Sequence, residues 1–448
     1  MKLFGTDGIR GVAGQPPLDE TTIVRLGAAL VRVLPHQGPV RLLTGRDTRE
    51  SGFWIERALA RGVRAMGGDL LSAGVVPTPA VAVVTREQDF DAGIVISASH
   101  NPYEDNGIKV FSGHGQKFDE ALEAQVEALV AEPRFTVAGD ASPEIESYDI
   151  VDTYTRHARA ALPFPGHVSG LRVGLDCAHG ATTTVAPRLF REVGLDVRVI
   201  GNEPDGRNIN LACGSTHLEA LQALVREEGL ALGIAFDGDG DRCLLVDERG
   251  AIVDGDAIML ILALHLQRTG GLAHDTVVAT VMSNLGLERA LEARGIRLLR
   301  TAVGDKHVME AIRDNGYALG GEQSGHVIVS EHLFTGDGIV TALRVLRVMA
   351  ETGRSLRDLA ADLVTYPQVL VNVRVGRREP VADVPAIAAV IDSVERRLGN
   401  EGRLLVRYSG TEPLLRIMLE GRDQGEIEAW AREIADAATL ALGAAGGR

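Results

Sequence analysis

The sequence predicts an α/β protein made of three similar doubly wound domains and a smaller C-terminal α+β domain. Short apolar runs that suit buried strands alternate with helical patterns along most of the chain. Three of these runs end in polar loops, at residues 97–102, 237–242 and 322–326. The composition changes near residues 365–367, where an amphipathic strand begins. We therefore expect domains at residues 1–165, 166–254, 255–366 and 367–448.

The overall composition is that of an ordinary soluble globular protein. The chain has 448 residues, of which 45% are hydrophobic and 24% charged, and its net charge is −15. This charge argues against nucleic acid or an anionic membrane as a partner. The three cysteines form no CxxC pair, and we find no signal peptide and no membrane span. We expect a cytoplasmic protein in which the cysteines are structural.

In the first domain, two segments suggest chemistry. The apolar run 92–96 predicts a buried strand, and the next residues place Ser99 and His100 at its carboxyl end, where open α/β sheets bind ligands. Lys109 follows ten residues after Ser99. The glycine-rich start, residues 4–11, is either a flexible terminus or an ordered loop that brings Arg10 to an anion. For the serine loop alone, an ordinary polar turn is an equally good interpretation.

The second domain begins with a predicted strand at 171–177. A helix at 184–193 and a strand at 195–200 follow. Thr216 and Glu219 have the spacing of a capping box, which predicts that a helix begins there. The apolar run 232–236 predicts a buried strand that leads directly into an acidic loop.

The acidic loop carries Asp237, Asp239 and Asp241 at alternate positions. Carboxylates this close repel one another by several kcal/mol, at an effective dielectric constant of about 20, unless a cation lies between them. Oxygen ligands favour Mg²⁺ or Ca²⁺. An EF-hand would require glycine where Arg242 stands, and a solvated acidic turn is the other alternative. Arg242 beside the metal ligands suggests an anion shared between the metal and a guanidinium, as in phosphoryl transfer.

Two later loops have polar side chains that suit a phosphosugar. In 322–326, all side chains except that of the glycine can bond hydroxyl groups: those of Glu322, Gln323, Ser324 and His326. In the last domain, the segment Ser409, Gly410 and Thr411 lies near Arg407 and Arg416, which predicts a small phosphate cradle. A simple hairpin turn is the alternative there. We expect the tail, residues 443–448, to be disordered.

The candidate loops are locally basic in an acidic protein. Their cations are Arg10, Arg46, Arg49, Lys109, Arg242, Lys306, Arg407 and Arg416. An anionic ligand requires this local charge, so a phosphate ligand is consistent with the sequence. His100 and His326 are either functional or buried structural histidines.

With these motifs in their order, the chain resembles the α-D-phosphohexomutase superfamily over its whole length. The resemblance implies four domains around a central cleft. It implies that Ser99, rather than Ser97, carries a covalent phosphate, and that Mg²⁺, one per subunit, is held by Ser99, Asp237, Asp239 and Asp241. The implied proton-handling and charge-stabilising group is Lys109 with Arg10 and His326, and His100 adjoins it. The residues implied to bind the substrate are Arg242, Glu322, Gln323, Ser324, Arg407, Ser409, Gly410, Thr411 and Arg416.

Three short motifs are similar to the glucosamine branch of the superfamily: residues 5–8, residue Gln323 and residues 335–338. The implied reaction is the reversible isomerisation of glucosamine 6-phosphate and glucosamine 1-phosphate through a hexosamine bisphosphate. Mutases for mannose or glucose phosphates are the alternative within the superfamily. A phosphomonoesterase that uses Ser99, or a silent phosphosugar-binding protein, is the alternative outside it. The sequence leaves open whether the protein assembles as a homodimer.

Overall fold

The structure is a computed structural model, and it describes residues 3–5, 7–35, 38–137, 144–164, 168–409 and 413–443. The predicted disordered tail falls outside these residues except for Gly443. The chain forms two compact units. The larger unit contains the described residues of 1–282 and 295–362, and the smaller unit contains residues 283–294 and the described residues from 363 onwards.

The larger unit begins with a six-stranded mixed sheet. Its strands are β1 (Ile9–Val12), β2 (Arg41–Arg46), β3 (Asp69–Val75), β4 (Ala92–Ile96), β5 (Asp105–Ser112) and β6 (Glu146–Ser147). They lie in the order β1-β5-β4-β2-β3-β6, and β5 is antiparallel to both of its neighbours. The accompanying helices are α1 (Glu20–Val33), α2 (Gly52–Ala65), α3 (Thr78–Glu87), α4 (Glu120–Ala131) and α5 (Val151–Arg159). Apolar side chains of α1, α2 and α4 pack with those of one sheet face into a single core.

A second mixed sheet follows, with the order β11-β10-β9-β7-β8. Its strands are β7 (Arg172–Asp176), β8 (Asp196–Ile200), β9 (Leu232–Phe236), β10 (Cys243–Asp247) and β11 (Ile252–Val253). Its helices are α6 (Ala186–Glu192) and α7 (Glu219–Glu228). The capping-box prediction is wrong, because Thr216 lies in a 3-10 turn and Leu218 occupies the N-cap of α7 without a side-chain bond.

The third sheet of the larger unit has the order β13-β12-β14-β15. Its strands are β12 (Thr276–Thr280), β13 (Arg297–Thr301), β14 (Leu319–Gly321) and β15 (Val327–Val329). The helices of this unit beyond the second sheet are α8 (Gly255–Thr269), α10 (Asp305–Asn315), α11 (Gly338–Thr352) and α12 (Leu356–Ala360). In α10, Val308, Met309 and Ile312 are buried at helical spacing.

The three sheets share one arrangement of four strands. The four strands, taken in chain order, start at β2, β7 and β12 in the three sheets. The first of the four lies between the second and the third, parallel to both, and the fourth runs antiparallel beside the third. The third strands are β4, β9 and β14, and every residue in them is buried. Each polar loop singled out in the sequence connects the third strand to the fourth. The fold therefore presents the three loops from equivalent positions.

The smaller unit contains an antiparallel sheet with the order β16-β18-β17. Its strands are β16 (Gln368–Arg374), β17 (Arg403–Tyr408) and β18 (Leu414–Glu420), and its helices are α9 (Leu285–Glu292), α13 (Pro385–Leu398) and α14 (Gln424–Leu442). Side chains of α13 and α14 pack with β16 and β18 into a separate apolar core. This smaller α+β fold agrees with the prediction for the end of the chain.

Two further expectations concern the cysteines and the membrane. Cys177, Cys213 and Cys243 are buried free thiols, in agreement with a structural role. Among the described residues, no helix combines the length and apolar character that crossing a bilayer requires.

Candidate active site

Ser99 lies in the β4–β5 loop with its hydroxyl against the acidic loop. Its Oγ donates to Asp237 Oδ2 at 2.5 Å and lies 3.3 Å from His100 Nδ1. Its backbone φ is +53°, a left-handed conformation that costs a non-glycine residue roughly 1–2 kcal/mol. Gly238 makes the approach possible, since a Cβ there would lie 2.5 Å from the Ser99 carbonyl oxygen. The close contact between the two loops therefore depends on the glycine.

The three aspartates of the acidic loop form a buried cluster. The exposed fractions of Asp237, Asp239 and Asp241 are 0%, 1% and 3%. One carboxylate oxygen from each lies within 4.8 Å of the others. Asp239 Oδ1 and Asp241 Oδ1 have no hydrogen-bond partner among the described residues. Buried, unpaired carboxylate oxygens are a donor set that suits Mg²⁺, so these residues fit the predicted metal.

The carboxylates of the cluster do not share one electrostatic environment. Burial and the neighbouring Asp241 and Asp239 raise the pKa of Asp237 well above its ordinary value. Burial also acts to raise the pKa of Asp241, but Lys109 and His326 lower it well below its ordinary value. Repulsion among the three carboxylates therefore disfavours the charged form of Asp237, which lies beside Ser99, more than that of Asp241.

Lys109 lies on β5 and reaches into the acidic cluster. Its Nζ is 2.9 Å from Asp239 Oδ2, 2.9 Å from Asp241 Oδ2 and 3.3 Å from Asp7 Oδ2. Burial acts to lower the pKa of this lysine, but the three carboxylates raise it well above its ordinary value. The direction is opposite to the lowered pKa that a lysine acting as a base would need, and the ammonium stays protonated in this arrangement.

Arg10 lies on β1 instead of in a loop, which corrects the interpretation of the chain start. Its register partner on β5 is Gly107. The guanidinium pairs with Asp7 and contacts Asn101 Oδ1 at 3.5 Å, and its Nε has no hydrogen-bond partner among the described residues. Sheet pairing thus orders this segment and holds Arg10 beside the Ser99 loop.

His326 faces carboxylates on both sides of its ring. Nδ1 lies 3.6 Å from Asp241 Oδ1, and Nε2 lies 3.4 Å from Asp305 Oδ2. Burial acts to lower its pKa, but the two carboxylates raise it. The Gly336 N–H donates to Nε2 at 2.9 Å, however, which requires this nitrogen to be unprotonated. We conclude that the proton is on Nδ1, facing Asp241.

His100 and Arg242 complete the groups around the serine. Burial, Arg242 and Arg10 lower the pKa of His100 to about 4, so the imidazole is neutral at pH 7. Arg242 Nε lies 4.0 Å from Asp237 Oδ2 and 3.9 Å from Asp241 Oδ1. Burial acts to lower the pKa of Arg242, but these carboxylates raise it, so the guanidinium stays charged.

The β14–β15 loop holds the predicted sugar-binding residues. Glu322, Gln323 and Ser324 are half-buried. Glu322 Oε1 accepts the Gly304 N–H at 3.1 Å, and Gln323 Nε2 donates to Asp254 Oδ2 at 3.1 Å. Because a carboxylate only accepts, this bond fixes which end of the Gln323 amide faces Asp254.

The predicted phosphate cradle lies in the smaller unit and is only partly described. Gly410 and Thr411 fall outside the described residues. Arg407 on β17 and Arg416 on β18 are directly opposite each other in the strand register. Burial and the charge of Arg416 lower the pKa of Arg407. Two cations in direct register repel each other, so an anion beside them would stabilise the pair. Ser409 is buried, and its N–H donates to Leu414 O at 2.8 Å.

Not all cations of the predicted loops are available to a ligand. Arg49 is buried and bonded to carbonyl oxygens and to Asp47, and Lys306 Nζ pairs with Glu123 Oε2 at 2.9 Å. Arg46 Nε lies 3.4 Å from Glu56 Oε2. The local charge that the sequence suggested is therefore partly neutralised by acidic neighbours.

The structure adds residues that sequence reasoning did not select. Asp7 bonds Lys109 and Lys117, and Lys117 also bonds Asp305, which faces His326. Thr78 Oγ1 donates to Asp239 Oδ2 at 2.6 Å. Asp7 is three residues from Arg10, and this short spacing of opposite charges could have indicated that the two side chains pair. The others come from distant segments whose spacing in the chain gives no such signal.

Comparison with known proteins accounts for nearly the whole chain. Four models of the phosphoglucomutase/phosphomannomutase family match it: alpha/beta/alpha domain I at residues 1–137, domain II at 152–250, domain III at 254–366 and the C-terminal domain at 370–437. A phosphoglucosamine mutase of Sorangium cellulosum is 48% identical over 444 residues, which are 98% of this chain and 92% of that protein. One from Moorella thermoacetica is 49% identical over 430 residues, or 95% and 97% of the two chains.

Solved structures show the same fold. A phosphoglucomutase/phosphomannomutase family protein of Burkholderia thailandensis superimposes with a TM-score of 0.80 and 25% identity, over 99% of this chain and 98% of that one. An Aspergillus fumigatus N-acetylphosphoglucosamine mutase, solved in complex with GlcNAc-6P and magnesium, gives a TM-score of 0.69 and 20% identity, over 98% and 96% of the two chains. This chain belongs to the phosphoglucomutase/phosphomannomutase family.

Proposed function

We propose that this chain is an isomerase that interconverts glucosamine 6-phosphate and glucosamine 1-phosphate through a phosphorylated Ser99. One observation carries the proposal. The Ser99 hydroxyl bonds Asp237 in a buried acidic cluster, and this arrangement occurs in a chain 48% identical to a phosphoglucosamine mutase over 98% of its length. Mannose and glucose phosphate mutases are the alternative within the family.

In this mechanism, phospho-Ser99 transfers its phosphoryl group to the free hydroxyl of the bound monophosphate. The bond between phosphorus and Ser99 Oγ breaks, and a bond from phosphorus to the sugar oxygen forms. The sugar hydroxyl gives up its proton, and Ser99 Oγ takes up one as it leaves, with His100 as the neighbouring group that can pass the proton on. The product is a glucosamine bisphosphate. After this intermediate reorients, its other phosphoryl group returns to Ser99 by the reverse step, and the isomeric monophosphate leaves.

The acidic cluster would hold Mg²⁺ together with phospho-Ser99. The ligands would be Asp237, Asp239 and Asp241, which form a buried carboxylate cluster, and Asp239 and Asp241 each have one oxygen without a hydrogen bond among the described residues. When bound, the metal neutralises charge on the transferring phosphoryl group. Thr78 orients Asp239 through its hydroxyl, which donates to Oδ2 at 2.6 Å.

The cations around Ser99 would stabilise the same charge. Lys109 would contribute a positive charge at the cluster, since its Nζ lies 2.9 Å from both Asp239 and Asp241 and 3.3 Å from Asp7. Arg10 and Arg242 each have an Nε without a hydrogen-bond partner among the described residues and can turn toward a phosphate. His100 is neutral at pH 7 and lies beside Ser99 Oγ, so it can accept a proton. His326 carries its proton on Nδ1, toward Asp241, and can donate a hydrogen bond from that nitrogen.

Recognition of the sugar and of its non-reacting phosphate is assigned to the remaining loops. Glu322, Gln323 and Ser324 would bind the hydroxyl and amino groups of the sugar, since all three are half-buried and polar. The opposed pair Arg407 and Arg416 would bind the phosphate, because an anion relieves their repulsion. The residues proposed to complete that site are Ser409, Gly410 and Thr411.

The deciding experiment measures kcat/KM for glucosamine 1-phosphate, glucose 1-phosphate and mannose 1-phosphate. Each assay contains Mg²⁺ and a trace of the matching bisphosphate, which keeps Ser99 phosphorylated. We expect a preference of at least about tenfold for the glucosamine substrate, equivalent to 1.4 kcal/mol. Preference for another sugar would support the alternative mutase. Release of free phosphate would indicate an esterase, and binding without conversion would indicate a silent binding protein.

A further inference from the structure

Arg49 is a buried arginine whose whole guanidinium bonds the region of Ser99. The residue is 1% exposed. Its Nη2 donates to the carbonyl oxygens of Ser99 and Asn101, both at 2.9 Å. Its Nη1 donates to the carbonyl oxygens of Pro102 and, at 2.9 Å, Asp105. Three carbonyl groups of the β4–β5 loop and one from the first residue of β5 thus converge on one side chain.

The fifth donor of this guanidinium connects to the other side of Ser99. Arg49 Nε donates to Asp47 Oδ2 at 2.8 Å. The same carboxylate oxygen accepts from Ser97 Oγ at 2.6 Å, and Ser97 Oγ accepts the N–H of Ser99 at 2.9 Å. Both the N–H and the C=O of Ser99 are therefore anchored to one Arg49–Asp47 pair.

This anchoring matters because Ser99 adopts a conformation that it does not favour. Its φ of +53° is in the left-handed region, which a non-glycine residue keeps only when its surroundings enforce it. Asn210 Nδ2 also donates to the carbonyl oxygens of Ser99, at 2.9 Å, and Asn101, at 3.2 Å, but these bonds come from a neutral amide. The guanidinium contributes four charged donors to the loop, and all are shielded from water.

We propose that Arg49 is a positioning residue that, together with Asp47, holds the backbone of the Ser99 loop so that Ser99 Oγ meets Asp237. This role rests on the proposed function, in which Ser99 carries the phosphoryl group. Lysine cannot replace arginine here, because an ammonium has three donors on one atom and cannot reach four carbonyl groups and a carboxylate. The loop would then leave the geometry that phosphoryl transfer requires.

The test follows transfer of a radiolabelled phosphoryl group from glucosamine 1,6-bisphosphate to dephosphorylated enzyme in a single turnover. The rate constant reports the geometry at Ser99, and the final amplitude reports the folded fraction. For Arg49→Lys, we expect a rate constant at least about 100-fold lower, a final amplitude close to one label per chain, and a KM for glucosamine 1-phosphate within threefold of wild type. Peptide mapping locates the label.

The matched control is Arg344→Lys. Arg344 is also a buried arginine, 4% exposed, and its Nε donates to His332 Nε2 at 3.0 Å, away from the Ser99 loop. If the lysine substitutions only lowered the stability of the fold, the amplitude would fall in both variants and both rate constants would stay unchanged. If Arg49→Lys does not fold, Asp47→Asn decides, since an amide nitrogen at the Oδ2 position would face two donors, Arg49 Nε and Ser97 Oγ. We expect at least a tenfold lower rate constant for it.

The positioning role alone is overturned if the rate constant of Arg49→Lys is within threefold of wild type. If Arg49→Lys does not fold, the same limit applies to Asp47→Asn. Wild-type enzyme that takes no label on Ser99 overturns the proposed function and with it this role. A slow rate with full amplitude in Arg49→Lys, beside a normal rate in Arg344→Lys, supports the role.

Discussion

The loops after β4 and after β14 occupy equivalent positions in their sheets but are held very differently. The Ser99 loop is anchored by four bonds from a buried guanidinium, and Ser99 is 1% exposed. In the loop at 322–326, the backbone is held by ordinary main-chain bonds, such as those from Gly255 N to Gln323 O and from Cys243 N to Gly325 O. The side chains of Glu322 and Gln323 are half-buried, and each makes a hydrogen bond of 3.1 Å. A repeated fold can thus bury the reactive side chain of one loop and leave the polar side chains of another partly exposed for recognition. Substitutions in the first loop should therefore change kcat, and those in the second should change selectivity.

The largest effect is expected for Ser99→Ala. Loss of the proposed nucleophilic oxygen should lower kcat about a thousandfold or more, because the nearby Ser97 hydroxyl is already engaged by Asp47 and the Ser99 N–H. The thermal midpoint should change little, since the backbone anchors of the loop stay in place. Steady-state turnover and circular dichroism measure the two quantities. Ser72→Ala, which removes a hydroxyl bonded to Glu56 at 2.7 Å, is the control and should keep normal turnover. Activity of Ser99→Ala within tenfold of wild type would contradict the role.

The next effect is expected for Asp239→Asn. Replacing one oxygen of the acidic cluster by an amide nitrogen should raise the Mg²⁺ concentration for half-maximal activity about 10- to 100-fold, because Mg²⁺ prefers carboxylate oxygen. Magnesium titration of the initial rate measures it. Asp247→Asn is a matched control, since Asp247 is also buried but bonds the backbone of residues 249 and 251. An unchanged magnesium requirement in Asp239→Asn would exclude the cluster as the metal site.

Much of this arrangement was predictable because its signals are local. The apolar runs that became β4 and β9 are continuous, and Ser99 and the three aspartates follow them directly. A residue at the end of a buried strand has its position set by the strand, so proximity to a site can be predicted from the sequence. The fold class and the family followed from the same motifs. The domain boundaries, the cytoplasmic location, the homodimer and the roles of the site residues stay predictions.

The failures arise where distant residues determine the outcome. Arg10 was placed in a loop because the partner strand β5 is almost a hundred residues away in the chain. Lys109 is one of the cations of the candidate loops, but Asp239, Asp241 and Asp7 surround it and raise its pKa. Arg49 looked like a ligand-binding cation, whereas its donors are used by the backbone of the Ser99 loop. Charge and burial at a site depend on tertiary contacts that motif spacing does not encode.

A smaller effect, on selectivity, is expected for the recognition loop. Gln323→Met removes the amide that Asp254 orients but keeps a side chain of similar size. We expect the ratio of kcat/KM for glucosamine 1-phosphate over glucose 1-phosphate to fall about tenfold, because one polar contact to the amino group is lost. The single-turnover phosphorylation of Ser99 should be unchanged. A lower rate of that step, with unchanged selectivity, would mean that the two loops do not divide the work as proposed.

The smallest effect is expected in the pH dependence of the free energy of unfolding, and it concerns two histidines. His100 lies in the Ser99 loop, and His332 follows β15. The pKa values of His100 and His332 are both lowered to about 4, but from different surroundings. For His332, burial and Arg344 are responsible, and the Arg344 Nε–H donates to Nε2, which must stay unprotonated. The unfolded chain binds a proton at this position near pH 6.5. The free energy of unfolding is therefore unaffected by His332 above pH 6.5 and falls as the pH drops from 6.5 toward 4.

His332→Gln keeps a side chain that can accept from Arg344 but cannot titrate. Between pH 7.5 and pH 4.5, its free energy of unfolding should fall by about 1–2 kcal/mol less than that of wild type, a value reduced from the full linkage because the site is partly solvated. Urea denaturation at the two pH values measures the difference, and kcat at pH 7.5 should stay normal. An equal loss in variant and wild type would show that His332 is protonated in the folded protein at pH 4.5. In that case the lowered pKa would be confined to the Ser99 loop, where His100 faces Arg10 and Arg242.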